Sequence, residues 1–168
     1  MQINLDKLYN HKFIYSNETK NINAGLDGTY ILRKDIEDLN FYKGHYDNVV
    51  CESQRLLIND YISKLHILGF SYWGSTNEIF TIVYEDESIA YIKIPFIDWV
   101  SKSVVNYQTI SLYGEAIKTI KQVKSKGTLK HTVNFHESIT TISNNKKVKE
   151  IIFPDNFLIH IFKIKIEV

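Results

Sequence analysis

Asp47–Gly69 reads DNVVCESQRLLINDYISKLHILG, and the architecture turns on how it folds. Val50, Leu57, Tyr61, Leu65 and Leu68 recur at the three-, four- and seven-residue intervals of a helical stripe. Asp47 suits an N-cap, and Gly69 suits the left-handed position beyond a C-terminus. This spacing predicts a helix buried along one face. Cys51 lies beside the stripe as the only cysteine, which excludes an internal disulfide and reads as a small packing residue.

Outward from this segment the pattern changes. FSYW (70–73), EIFTIVY (78–84) and SIAYIKI (88–94) are rich in β-branched and aromatic residues. Ser75-Thr76-Asn77 and Glu85-Asp86-Glu87 separate them, so they read as an antiparallel meander closed by Pro95. Ile110, Tyr113, Ile117 and Ile120 predict a second helix over 109–126, with lysines in its last turns and Gly127 as its stop. Strands are expected over 129–135, 138–143, 147–153 and 157–167, turning at Asn144-Asn145 and at Pro154-Asp155-Asn156. Residues 16–29 are polar, contain Gly25 and Gly28, and read as a loop.

The expectation is one α+β domain over 1–168 in the order α-βββ-α-ββββ. A mainly antiparallel sheet of about six or seven strands would carry two principal helices on one face. No run of eighteen apolar residues occurs, and the first fifteen residues lack a basic region followed by an apolar one. A cytoplasmic protein without a membrane segment is expected.

HTVNFHES, His131–Ser138, is the stretch closest to chemistry. Side chains of a strand alternate between faces, so an offset of five sends His131 and His136 to opposite sides of a sheet. On this parity His136 belongs to the wetter face, and Glu137 follows it. These three remain the candidates for an enzyme, a nuclease or hydrolase that needs no metal. His160 interrupts the row Leu158, Phe162, Ile164, Ile166 and reads as a neutral core histidine donating to a carbonyl. GFSYWG (69–74) has one residue too many between Ser71 and Gly74 for a nucleophile elbow. Phosphate-loop, zinc-helix and calcium-loop patterns do not occur, so no metal and no cofactor is expected.

Charge is distributed unevenly. Residues 27–98 carry twelve acidic and six basic side chains, a balance of −6, whereas 116–149 carry eight lysines and only Glu137, a balance of +7. The two segments could attract each other within the fold. Alternatively, Lys118, Lys121, Lys124, Lys126, Lys130, Lys146, Lys147 and Lys149 could form a phosphate-binding strip for nucleic acid. With only Arg33 and Arg55 present, such a strip would lack the usual guanine-reading side chain. In a third reading one charged face steers a protein partner. Its contacts would be Asp35, Glu37, Asp38, Glu85, Asp86 and Glu87, with Tyr72 and Trp73 as aromatic anchors.

In size, compactness and absence of catalytic motifs, the chain resembles the small immunity proteins that neutralise bacterial toxins, and small phage-encoded inhibitors. The resemblance implies a protein-binding inhibitor that occludes its partner, a cognate toxin, through an electrostatically steered surface.

Overall fold

A computed structural model describes residues 1–100, 116–142 and 145–168. Among these, the only helical pieces are two three-residue 3-10 turns, Arg33–Asp35 and Glu37–Leu39, so the expected pair of principal helices is corrected to a mostly β fold. Asp47–Gly69 contains β4 (Val49–Glu52), β5 (Arg55–Asp60) and most of β6 (Lys64–Ser71). The C-terminal part of the second expected helix is β9 (Ala116–Lys124), followed by β10 (Lys126–Gly127). Its first residues, 109–115, lie outside the described residues, as do Ser143 and Asn144 of the expected strand end and turn.

The helical stripe fails on burial. Leu57 and Tyr61 are 67% and 49% exposed, whereas Val49, Cys51, Leu56, Leu65 and Ile67, at intervals of two within each strand, enter the core. Ser53 and Asn59 adopt positive φ of 60° and 55°, which breaks any continuous helix. The chain thus crosses between two sheets twice within 23 residues, and coincident spacing of leucines on different strands mimics a helix.

The remaining strands are β1 (Gln2–Ile3), β2 (Ile14–Tyr15), β3 (Thr29–Leu32), β7 (Thr76–Tyr84), β8 (Ile89–Phe96), β11 (Thr132–Thr141), β12 (Val148–Ile152) and β13 (Asp155–Glu167). The two strands expected over 129–143 are one, because no turn residue interrupts 132–141. Strand β8 runs through Pro95; at a sheet edge a missing ladder N–H is tolerated.

Three layers result. The six-stranded central sheet has the order β1-β13-β6-β11-β9, with β4 also paired to β13. A four-stranded sheet, β5-β12-β7-β8, packs on one face, where Ile67, Ile161 and Ile164 meet Phe80, Ile82, Ile94 and Ile151. The other face, with Phe70, Phe135 and Phe162, is covered by Phe13, Ile31, Ile36, Phe41 and Trp99 of the amino-terminal segments and the β8–β9 connection. A small sheet, β10-β3-β2, belongs to this covering layer; only its β2–β3 pair is parallel. With both faces covered, strand β6 loses simple alternation and is buried continuously from Ile67 to Ser71.

Gly69 is a mid-strand residue of β6, paired with His136 on one side and Ile161 on the other, and not the end of a helix. A Cβ there would lie 2.4 Å from the His160 carbonyl oxygen and 3.2 Å from the Phe96 ring. Gly69→Ala therefore forces the two sheets or the β6–β13 ladder apart. A loss of about 1–3 kcal/mol is expected in urea unfolding; unchanged stability would mean that the close approach does not exist.

Candidate protein-binding surface

The three candidate catalytic residues do not converge. His131 packs edge-on to Trp99 at 6.2 Å between ring centroids. On the opposite face His136 is buried, with Nδ1 3.2 Å from the Thr119 hydroxyl and Nε2 without a hydrogen-bond partner. It is thus the drier of the two histidines, contrary to the expectation from parity alone, because the four-stranded sheet covers its face. Burial holds its pKa down at about 4. Glu137 turns the other way, 3.8 Å from His66 and 3.9 Å from Lys165. Among the described residues no three His, Cys, Asp or Glu side chains are grouped to hold a metal ion. Cys51 is fully buried, and burial pushes its thiol pKa up.

The buried polar centre lies elsewhere, at Asp47 and Asn48. The Asp47 carboxylate accepts hydrogen bonds from the backbone N–H groups of Phe13 and Ile14, both at 3.0 Å, and faces Lys12 at 3.3 Å. Asn48 Oδ1 accepts from His160 Nδ1 at 2.9 Å, while its amide nitrogen lies 3.2 Å from His11 Nδ1 and 3.0 Å from Asp47 Oδ1. His11 Nε2 is 3.2 Å from the Gly25 carbonyl, which can only accept, so Nε2 carries the proton and Nδ1 accepts from Asn48. Burial lowers the pKa of His11, and burial, with repulsion from His11, holds that of His160 at about 3. The sequence does not show this cluster because its other members lie 33 or more residues from Asp47-Asn48, on either side of it.

The opposed charge segments interleave. Glu85, Asp86 and Glu87 pair with Lys147, Lys146 and Lys149 at 2.6, 2.8 and 2.7 Å. Lys121 holds Asp38 at 2.8 Å, and Lys126 lies 3.7 Å from Glu18. Lys124 donates to the Thr132 hydroxyl. Such exposed pairs add little stability, but they cancel much of the field that either segment would project. Lys118 and Lys130 enter no ion pair among the described residues, and neither do Asp35 and Glu37, in or beside the 3-10 turns.

One end of the molecule differs. Here the strand termini of β4, β6, β12 and β13 meet the start of β7. Trp73 is 79% exposed in the β6–β7 turn and Phe157 is 70% exposed near the start of β13. The Tyr72 N–H donates to the Leu158 carbonyl at 2.7 Å, which ties the two segments that carry these rings to each other. Around them stand five carboxylates, Asp27, Glu52, Glu78, Asp98 and Asp155, that form no ion pair among the described residues. Asp27 accepts from the Tyr72 hydroxyl; burial and this bond push the Tyr72 pKa up to about 12. Asp98 accepts from the Gly74 and Val100 N–H groups, and Glu78 from Thr76 and Asn156. Asp155 and Glu52 oppose each other directly across β13 and β4, an unfavourable like-charge pair that an external cation would relieve.

No known family model and no curated protein sequence matches this chain. No helix among the described residues is long and apolar enough to cross a membrane.

The depressed histidine pKa values carry a signed consequence. His11, His136 and His160 stay neutral in the fold, whereas the unfolded chain protonates them near pH 6.5. Their contribution is therefore complete above pH 6.5 and is lost as pH falls from there toward about 4 and about 3. Urea unfolding between pH 7.5 and 5, where most carboxylates remain ionised, should show stability falling by up to about 1.4 kcal/mol per pH unit per ring. A flat profile over that interval would contradict the buried neutral rings.

Proposed function

We propose that this chain is a cytoplasmic protein-binding inhibitor of the immunity type, which occludes a basic partner, a cognate toxin, with the end that carries Trp73 and Phe157. The observation behind this reading is the coincidence of two exposed rings with five carboxylates that lack a cation among the described residues. Exposed aromatic side chains are the usual anchors of protein interfaces, and a surrounding field of one sign speeds encounter with a partner of the other sign. Tyr72, held to Asp27 and packed 5.3 Å from Trp99, gives the rings a fixed base. The relevant carboxylates are accordingly not Glu85, Asp86 and Glu87, which their own lysines neutralise, but those gathered from five separate segments.

The mechanism is steric: the rings enter the partner's substrate groove and the carboxylates meet its rim. Stable occlusion needs about 1,200–2,000 Å² of total buried surface, more than two rings supply, so the carboxylate-bearing turns around them must also make contact.

The test pairs capture with function. A basic protein retained from host lysate in one-to-one ratio should be inhibited by this chain. Trp73→Ala and Phe157→Ala, both at exposed positions, should each weaken binding at least about tenfold without altering the melting temperature. The association rate should also fall with added salt. Binding that ignores both substitutions and salt would refute the assignment of this end.

A further inference from the structure

Strand β13 has a gap along its outer edge. Strand β4 pairs with it as far as Ile161 and β1 resumes at Ile164, so Phe162 and Lys163 have no strand neighbour on that edge among the described residues. The Tyr9 hydroxyl fills part of the gap by donating to the Phe162 carbonyl at 3.1 Å. On the inner edge the register against β6 shifts between Ile161 and Lys163, which marks a bulge. Regular alternation would send Phe162 and Lys163 to opposite faces. The bulge instead puts both on the face toward the amino-terminal layer, where Phe162 packs in the core and Lys163 stands opposite Leu68 of that same core.

A cavity of about 470 Å³ opens at this gap, within the size range of small-molecule sites. Leu5, Phe41 and Phe162 give it apolar walls, and Asp6, Lys43 and Lys163 supply its charges. Tyr42, also in the lining, stacks on Tyr9 at 5.1 Å, and Arg33 donates to the carbonyls of Phe41 and Tyr42, so this side of the cavity is held in place. Lys163 is half-buried and donates to the Leu39 carbonyl at 3.1 Å. Neither Lys163 nor Lys43 forms an ion pair among the described residues. Burial and repulsion from Lys165 lower the Lys163 pKa, against the attraction of Glu137. An ammonium so placed, with one of its three donors spent on a neutral carbonyl, gains more from an anion than a solvated lysine does.

We propose that this cavity binds a small aromatic anion, with its carboxylate or phosphate on Lys163 and Lys43 and its ring against Phe41 and Phe162. Two lysines against the single carboxylate of Asp6 leave the lining cationic. The apolar walls favour an anion that carries a ring over a bare inorganic one. The cavity shares no residue with the end that bears Trp73 and Phe157, so the proposal stands or falls independently of the inhibitor reading.

Calorimetric titration of the full chain with naphthyl phosphate and with naphthoate, each up to millimolar concentration, tests the proposal. At least one should bind saturably, with one site per chain and more tightly than inorganic phosphate; the tighter of the two identifies the anion. Lys163→Met, which keeps the packing of the stem, should weaken that binding by about tenfold or more, and Lys43→Ala by less. Lys146→Met, at the hairpin end, should leave it unchanged. In the wild-type chain the backbone amide NMR signals of residues 40–43 and 162–163 should move during the titration. The proposal is overturned if neither aryl anion binds saturably, if binding ignores Lys163→Met in a chain of unaltered melting temperature, or if the NMR shifts are confined to other segments.

Discussion

One side-chain amide, that of Asn48, holds the amino-terminal layer against the central sheet. That layer has little ladder of its own: β2, β3 and β10 are short, and β1 adds only two paired residues to β13. What fastens it, besides the packing of Phe13, Ile31, Ile36 and Phe41, is the pair Asp47-Asn48, with Asp47 closing two orphan N–H groups and Asn48 bridging His11 to His160. Buried hydrogen bonds to a charged acceptor are among the stronger contributions to stability, and an unpaired buried donor is costly. The amide also fixes the ring protonation states, because its oxygen needs a donor and its nitrogen an acceptor.

The same constraint decides where the protein can meet anything else. The amino-terminal layer screens much of one face of the central sheet, and the four-stranded sheet covers the other, so His136 and Cys51 sit where no macromolecular partner reaches them. The principal apolar openings that remain are the strand-terminus end and the outer face of β5-β12-β7-β8. At the hairpin end, lysines and carboxylates neutralise each other residue by residue. At the opposite end five carboxylates form no ion pair among the described residues, and two exposed rings share that end. The unequal charge of the two sequence segments is thereby resolved into one end where the charges cancel and one where the carboxylates keep no cation among the described residues.

Much of the β architecture is legible in the sequence. The alternation of Phe80, Ile82 and Tyr84, and of Ile92 and Ile94, together with the polar turn at 85–87, marks β7 and β8 near their observed bounds. Asp47–Gly69 is illegible for a physical reason: two corner crossings change the phase of the period-two pattern, and a sheet covered on both faces lacks alternation in β6. Leu57, Tyr61, Leu65 and Leu68 then fall on helical intervals by coincidence. At the site, Tyr72 and Trp73 could be found as adjacent rings next to a turn. Phe157 could not, since it reads as one more apolar residue of a strand, and five carboxylates from five segments gather only in three dimensions.

The central claim is that Asn48 holds two neutral imidazoles in defined tautomers, and nitrogen-15 NMR of the histidine rings measures this directly. The account predicts His160 protonated at Nδ1 and still neutral well below pH 6.5, and His11 protonated at Nε2 with its pKa below the ordinary 6.5. A His160 ring that titrates near pH 6.5, or that carries its proton on Nε2 alone, would contradict it.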